Sequence, residues 1–237
     1  MEIIRDAAGT RLQGIVLDNG CGVGQYLERL NAYADLAIGL EFEPEHARTA
    51  HARGLNVVRA ASENLPYASG TLDLVLSHEV LEHVRDDRLA LEEIVRVLKP
   101  PRPHEQLEAG RLVLFIPNRG YPFETHGVYW GGRYHFGNIP LVNYLPHRLR
   151  NRLAPHVRVY SRRSLEKLLE GLPVLVVSQT VIFGGYDNII ARWPRAGRLL
   201  RWLLQKFERT PLRALGLSQV WVIERKAGDA STTTSPF

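Results

Sequence analysis

At 237 residues, 45% hydrophobic and 23% charged, the chain has the composition of a globular protein of one larger domain, which excludes low-complexity and disordered classes. Its 30 Lys and Arg against 25 Asp and Glu leave a formal charge of +5, a weak hint of an anionic partner, so where the cations fall matters more than their number. The single cysteine, Cys21, excludes an internal disulfide and points to a reducing cytoplasm, while no apolar run approaches membrane-span length and the first residues lack a signal-peptide core.

Ile15, Val16 and Leu17 read as a buried strand that ends in Asp18, and Gly20, Gly22 and Gly24 follow at alternate positions. Glycines there permit backbone angles and a close ligand approach that a β-carbon would block. A helix is predicted from about Gln25. A dinucleotide fingerprint requires glycine at its first, third and sixth positions, and the sixth is Gln25, which counts against a nicotinamide cofactor. One strand–helix–strand unit later, the apolar stretch Leu36 to Leu40 ends in Glu41, an acid placed either to accept both hydroxyls of a ribose or to sit solvated at a strand end. Further strands are predicted near 56–59, 72–77, 111–116, 174–182 and 219–225, and their alternation with helical stretches implies a parallel sheet with crossover helices.

The D-x-G-x-G-x-G form that starts at Asp18 resembles the first motif of class I S-adenosylmethionine-dependent methyltransferases, in particular the type 11 methyltransferase-domain group. Three later segments fall where that resemblance requires them. A-A-S-E-N-L-P-Y from Ala60 to Tyr67 resembles the family's loop bordering the adenine, with Ala61 standing where the family has Asp, so that Ser62 or Glu63 takes over the contact. Thr71 to Ser77 reads as the central fourth strand, and Glu92 to Pro100 resembles the helix before strand five. The matches run in order over residues 14–118. The resemblance implies an α/β, Rossmann-like three-layer sandwich with a seven-stranded, mostly parallel sheet and an antiparallel last strand. It implies S-adenosylmethionine as cofactor, held by Asp18, Gly20, Cys21, Gly22, Gly24, Glu41, Ser62, Glu63 and Ser77. Cys21 reads as a small residue fitting a tight turn, the other reading being a reactive thiol. Relatives often carry a helix before strand one that covers the cofactor; the short leader here predicts that cover comes from elsewhere. The proline-rich excursion from Pro100 to Gly110 replaces a short turn and carries no chemistry.

After strand four, S-H-E-V-L-E-H-V places Glu79, Glu82 and His83 at i, i+3 and i+4, one face if the turn is helical. E-x-x-E-H resembles the metal site of ubiquinone-biosynthesis O-methyltransferases and small-RNA 2′-O-methyltransferases, where a divalent cation such as Mg²⁺ would lower the acceptor's pKa, with His126 or His135 as a further ligand. The other reading has the histidine holding the loop and the glutamate exposed. Without metal, His83 or His78 is the candidate general base. Residues 117–160 form a candidate substrate lid, with Asn118, His126, Tyr129, Trp130, Tyr134, His135 and Phe136 as pocket wall or, alternatively, as a satellite core under a long loop.

Residues 192–213 read as a basic helical insertion. On a helical wheel Ala196, Leu199, Leu200, Leu203, Leu204 and Phe207 share one arc, and Arg195, Arg198, Arg201, Lys206 and Arg209 the other, with Trp202 among the cations. Either the apolar arc covers the sheet, with Trp202 stacked by Arg, or the helix rests on an anionic membrane and admits a lipid or isoprenoid acceptor. The expected protein is a single domain over 1–226 with a frayed tail over 227–237, cytoplasmic or peripheral at the inner membrane surface. It methylates a small-molecule acceptor, oxygen being preferred. The alternatives are a non-catalytic cofactor-binding regulatory subunit and a nicotinamide-dependent oxidoreductase. Nucleic acid is not the expected acceptor, because the clustered cations lie away from the predicted site.

Overall fold

The computed structural model describes residues 1–102, 108–184 and 187–227; the middle of the Pro100–Gly110 excursion and the tail beyond Ala227 lie outside the described residues. Seven strands form one sheet: β1 (Ile15–Asn19), β2 (Leu36–Glu41), β3 (Val57–Arg59), β4 (Leu74–His78), β5 (Arg111–Pro117), β10 (Val174–Ile182) and β11 (Ser218–Arg225). Their order is β10-β11-β5-β4-β1-β2-β3, and β1 to β5 pair in parallel while β11 runs against both neighbours. The strands begin within about two residues of the predicted positions. This is the Rossmann-like sandwich with its antiparallel last strand.

Side-chain alternation builds the two layers on either face of the sheet. Leu17, Val75, Leu112, Leu114, Trp221 and Ile223 face α4 (Asp87–Val97) and α6 (Arg162–Leu169), which contribute Leu91, Ile94 and Leu165 to that layer. Val16, Leu74, Leu76, Val113 and Phe115 face the opposite way, with Leu27 and Leu30 of α2 (Gln25–Leu30) and Ala50 of α3 (Pro44–Ala52). Burial on both faces explains why the central strands read as unbroken apolar runs.

The leader is not structureless. Residues Glu2–Ala8 form α1, followed by a 3₁₀ turn over Gly9–Gln13, and Ile4, Ala8 and Leu12 are buried in the second layer. The Arg111 guanidinium on β5 donates to the carbonyls of Ala7 and Ala8, so this helix seals the sheet.

Parallel pairing brings Asn19, Glu41, His78 and Pro117 to one carboxyl edge. The segment after β5 folds there as two small hairpins, β6 (Phe123–Glu124) with β9 (Ile139–Pro140) and β7 (Val128–Trp130) with β8 (Arg133–His135), closed by α5 (His147–Leu153). The connection from β10 to β11 starts and ends at the same edge, since Ile182 pairs with Ser218 and Ser218 with Pro117. It holds α7 (Asp187–Arg192), α8 (Pro194–Phe207) and a 3₁₀ turn over Pro211–Leu215. Helix α8 departs from the reading in which its apolar arc enters the core: Leu199, Leu200, Leu203 and Phe207 are exposed, and Gly197 is its one buried residue. The cation over Trp202 is Lys206, 3.8 Å from the ring centre, not an arginine.

Candidate active site

The loop after β1 is tied to the next strand before any ligand arrives. The N–H groups of Gly20 and Cys21 both donate to the Leu40 carbonyl, at 2.8 and 2.9 Å, and Gly22 N–H donates to the Glu41 carboxylate at 2.8 Å. Gly20 and Gly24 have φ of 77° and 87°, and a β-carbon on either would collide with Val80 or Leu55 respectively. Gly22, at φ 55°, differs: a β-carbon there would meet nothing within 4 Å, so the middle glycine faces open space. Helix α2 starts directly at Gln25, which leaves its first N–H groups at the end of this cradle.

Beneath the cradle lies Asp18, buried, with one carboxyl oxygen that has no hydrogen-bond partner among the described residues. Burial pushes its pKa up to about 7; the Leu27 backbone hydrogen bond opposes this and the nearby Glu41 carboxylate adds to it. A buried carboxyl with an orphaned oxygen is a costly group that a cationic ligand would stabilise. Glu41, at the end of β2, also accepts from Glu43 N–H at 2.8 Å, so it is a fixed carboxylate at the ligand edge and not a loose surface acid. Ser62 donates to Asn19 at 2.9 Å, and the Asn19 amide reaches Ser77 at 3.5 Å, a polar chain across the ends of β1 and β4. Asn19 is absent from the sequence-based set, although its polarity between Asp18 and Gly20 marks it. Glu63 points elsewhere: its carboxylate accepts from the Arg85 and Asp86 N–H groups, and it braces the turn before α4. Cys21 is buried and its thiol is pushed up to about 12 by burial and then by Asp18, an inert group that fits the turn.

Residues 79–83 are not helical, against the premise that put Glu79, Glu82 and His83 on one helix face. Glu79 has φ 55°, the chain turns with His83 N–H on the Val80 carbonyl, and α4 begins only at Asp87, where Asp86 caps it through Leu89 N–H. The turn nevertheless gathers ligand-type groups. Glu82, His83 and His126 present donor atoms within 4.8 Å of one another. Glu82 is 1% exposed and neither of its oxygens receives a hydrogen bond within the described residues; burial pushes its pKa well up, and Glu79 pushes the same way. Glu79 itself accepts from Ser218 at 2.8 Å. The rings of His83 and His126 meet edge to face at 5.4 Å. His83 is pushed down by burial and then by His126, and His78 is pushed down mainly by its burial. His78 lies between Tyr26 and Phe115, with Tyr26 Oη at 3.3 Å from its Nε2, and is the more confined of the two imidazoles.

The segment after β5 is held by an ion pair that no sequence signal pointed to. Glu124 and Arg150, each 1% exposed, meet at 2.6 Å, and the other Glu124 oxygen accepts from the His126 N–H and lies 3.2 Å from His126 Nδ1. Burial works to raise Glu124, but the bonds from His126 and Arg150 outweigh it and hold the pKa at about 2. A carboxylate on Nδ1 leaves Nε2 as the atom of His126 available to a ligand. Asn118 is a structural residue: it is buried, its amide donates to the Ala214 and Gly216 carbonyls, and its oxygen accepts from Gly120 N–H. Tyr129 and Tyr134 pack on each other and on His156, and the Tyr134 hydroxyl donates to the His126 carbonyl. These rings, Trp130 and Phe136 are exposed, so they do not form the satellite core; Tyr129 and Trp130 with Leu145, Leu149 and Leu153 line a groove of about 810 Å³. His135 is exposed on the outer strand, beside the Trp130 carbonyl, and is not among the Glu82, His83 and His126 group.

Residues 17–101 match the family described as a methyltransferase domain. Over that segment the chain resembles a methyltransferase domain. It is 34% identical over 99 residues to norajmaline N-methyltransferase of Rauvolfia serpentina, covering 37% of this chain and 33% of that protein. It is also 38% identical over 86 residues to malonyl-[acyl-carrier protein] O-methyltransferase of Herminiimonas arsenicoxydans, covering 35% and 33%. The chain thus spans about a third of the length of these two relatives. The fold extends further than the sequence match: an S-adenosylmethionine-dependent methyltransferase from Mesorhizobium loti superposes with a TM-score of 0.63 at 18% identity, over 94% of this chain and 96% of that one. The matched segment holds the cradle, and residues 117–160 and α8 lie beyond it.

Proposed function

We propose that this chain transfers the methyl group of S-adenosylmethionine to an oxygen of a small-molecule acceptor. The observation that carries the reading is the Gly22 cradle open above Asp18, whose orphaned oxygen awaits a cationic group. Bound there, the donor supplies an electrophilic methyl group on a sulfonium. Asp18 would accept from the donor's ammonium and Glu41 from its ribose hydroxyls, and the Asn19, Ser62 and Ser77 chain would border its adenine. The open Gly22 face positions the amino-acid part without a steric barrier.

A hydroxyl acceptor has to lose its proton, and the 79–83 turn holds groups suited to that. The orphaned Glu82 carboxyl, with His83 and His126 Nε2, forms a donor set fit for a divalent cation, which would lower the acceptor's pKa. His83, half-exposed beside this set, is the base in the reaction without a cation. Tyr129 and Trp130 form the acceptor wall.

Calorimetric titration with S-adenosylmethionine and S-adenosylhomocysteine, with NAD as control, tests the reading. Donor or product binding that Gly22→Val abolishes is expected; no affinity for either overturns it. Manganese binding lost in Glu82→Gln and His126→Ala, with product binding retained, is the outcome expected of the cation set. Equal manganese binding in wild type and variants removes it.

A further inference from the structure

Helix α8 is built as a surface that something should cover. Its apolar arc, Leu199, Leu200, Leu203 and Phe207, is exposed, with Leu199 at 58%, and Trp193 before it and Trp202 within it are exposed as well. Leu212 and Leu215, on the 3₁₀ turn that follows, are also exposed. The Gly197 side of the helix packs against Ile190 of α7, where a β-carbon would meet the Ile190 backbone at 2.7 Å. Contiguous apolar surface of this kind in a globular chain marks an interaction site.

Charge identifies the partner. Residues 192–209 contain six Arg and Lys against one acid, Glu208, a formal charge of +5. The whole chain carries +5, so the remainder sums to formal neutrality, although residues 147–163, with six Arg and no acid, form a second basic stretch. Arg195, Arg198 and Lys206 lie on the arc beside the exposed leucines, so cations flank the apolar stripe. An exposed leucine stripe with a flanking row of arginines and a tryptophan at the boundary matches an anionic lipid surface, where the apolar side enters the acyl boundary and the cations meet headgroups. A second copy of this chain would bring like charges together.

We propose that α8 docks the protein in-plane on an anionic bilayer. Both ends of the segment are tied to the carboxyl edge: Ile182 and Ser218 are paired there, and Asn118 at the end of β5 donates to the Ala214 and Gly216 carbonyls. Docking therefore holds the edge that carries the candidate site close to the membrane. On the methyl-transfer reading, that position suits an amphiphilic acceptor supplied from the bilayer.

Vesicle flotation tests the proposal and does not depend on methyl transfer, which cofactor titration without lipid reads separately. The intact chain is expected to float with phosphatidylcholine vesicles containing phosphatidylglycerol and to remain below with phosphatidylcholine alone. Binding should weaken with salt, and Arg195→Glu with Arg198→Glu should lower it by roughly fivefold or more for each cation lost. Leu199→Ser with Leu203→Ser alters only exposed side chains, so the fold is retained, and it should abolish flotation and any vesicle-induced blue shift of tryptophan emission. Absence of flotation, or equal binding to neutral vesicles, overturns the proposal. So does concentration-dependent dimerisation that the leucine pair abolishes while vesicles have no effect.

Discussion

The glycine loop and helix α8 share the carboxyl edge of one sheet and treat their surroundings in opposite ways. In the loop, backbone groups are bonded to Leu40 and Glu41, Gly20 and Gly24 are packed to contact, and one face alone, at Gly22, is left open. In α8 one buried glycine anchors a helix whose leucines and tryptophan face outward. A site for a ligand of fixed shape can be preorganised, with its strain and burial settled in advance, and it leaves only a ligand-sized gap. A site for an extended, deformable surface has no such shape to copy, and the helix retains its apolar stripe uncovered until the partner arrives. The lid stands between these extremes: exposed rings on top, and below them the buried pair of Glu124 and Arg150.

Breaking that pair is expected to produce the largest effect. Arg150→Met leaves a buried, uncompensated carboxylate and should cost about 3–5 kcal/mol of lid stability, read as accelerated proteolysis within residues 117–160. The double variant Glu124→Met, Arg150→Met should recover most of it, because neither charge is then stranded. If the single and double variants are equally labile, the pair has no special role in the lid.

Gly24 and Gly22 sharpen the contrast within the cradle itself. Gly24→Ala combines a positive φ with a collision against Leu55 and should cost about 2–4 kcal/mol in urea denaturation. Gly22→Ala has open space for its methyl group, so it should cost about 1–2 kcal/mol from φ alone while weakening product binding far more. Equal stability losses in the two would contradict the reading of Gly22 as the open face.

Much of this was legible in the sequence, for physical reasons. Strands buried on both faces have to be continuously apolar, so β1, β4 and β5 are visible as runs, and the glycines with positive φ are visible as a spaced triplet. The condition that would put Glu79, Glu82 and His83 on one helix face is not met, because spacing alone does not reveal that Glu79 takes a left-handed turn or that Asp86 is the cap. Their chemistry survived because the turn and the lid bring His126 to Glu82 and His83, a contact between distant parts of the chain. Glu124 and Arg150 were invisible, as an acid and a base in a long loop give no sign of burial. For α8 the wheel revealed the two arcs correctly; what periodicity cannot tell is whether anything in the same chain covers the apolar one.

The pH dependence tests the cradle's buried acid. Asp18 has a folded-state pKa near 7 against an ordinary 3.8, so the fold favours its protonated form. The stability this adds is fully present below about 3.8 and is lost as pH rises through about 7. The ligand-free protein should lose about 2–3 kcal/mol between about pH 5 and about pH 8, and Asp18→Asn should flatten that slope. Glu82 is shifted in the same direction and adds to the trend. Glu124 acts oppositely, its contribution being present above the ordinary 4.5 and lost as pH falls toward about 2. Saturating product should reverse the Asp18 slope, since an ammonium on the carboxylate favours ionisation. A ligand-free stability that is flat from pH 5 to 8 would mean Asp18 is already paired.

The smallest effect is expected at Cys21, and it bears on the same loop. The thiol is buried among Gly39, Leu27 and the loop backbone, and its pKa is pushed up to about 12, so almost no thiolate exists near neutral pH. Ellman's reagent should therefore leave the native chain unmodified and titrate one thiol after denaturation. Cys21→Ala keeps the β-carbon and removes one sulfur, a change of about 1 kcal/mol in unfolding free energy with product affinity retained. Rapid native labelling would show that the loop opens far more often than its bonds to Leu40 imply, and the contrast between a fixed cradle and an uncovered helix would then have to be drawn less sharply.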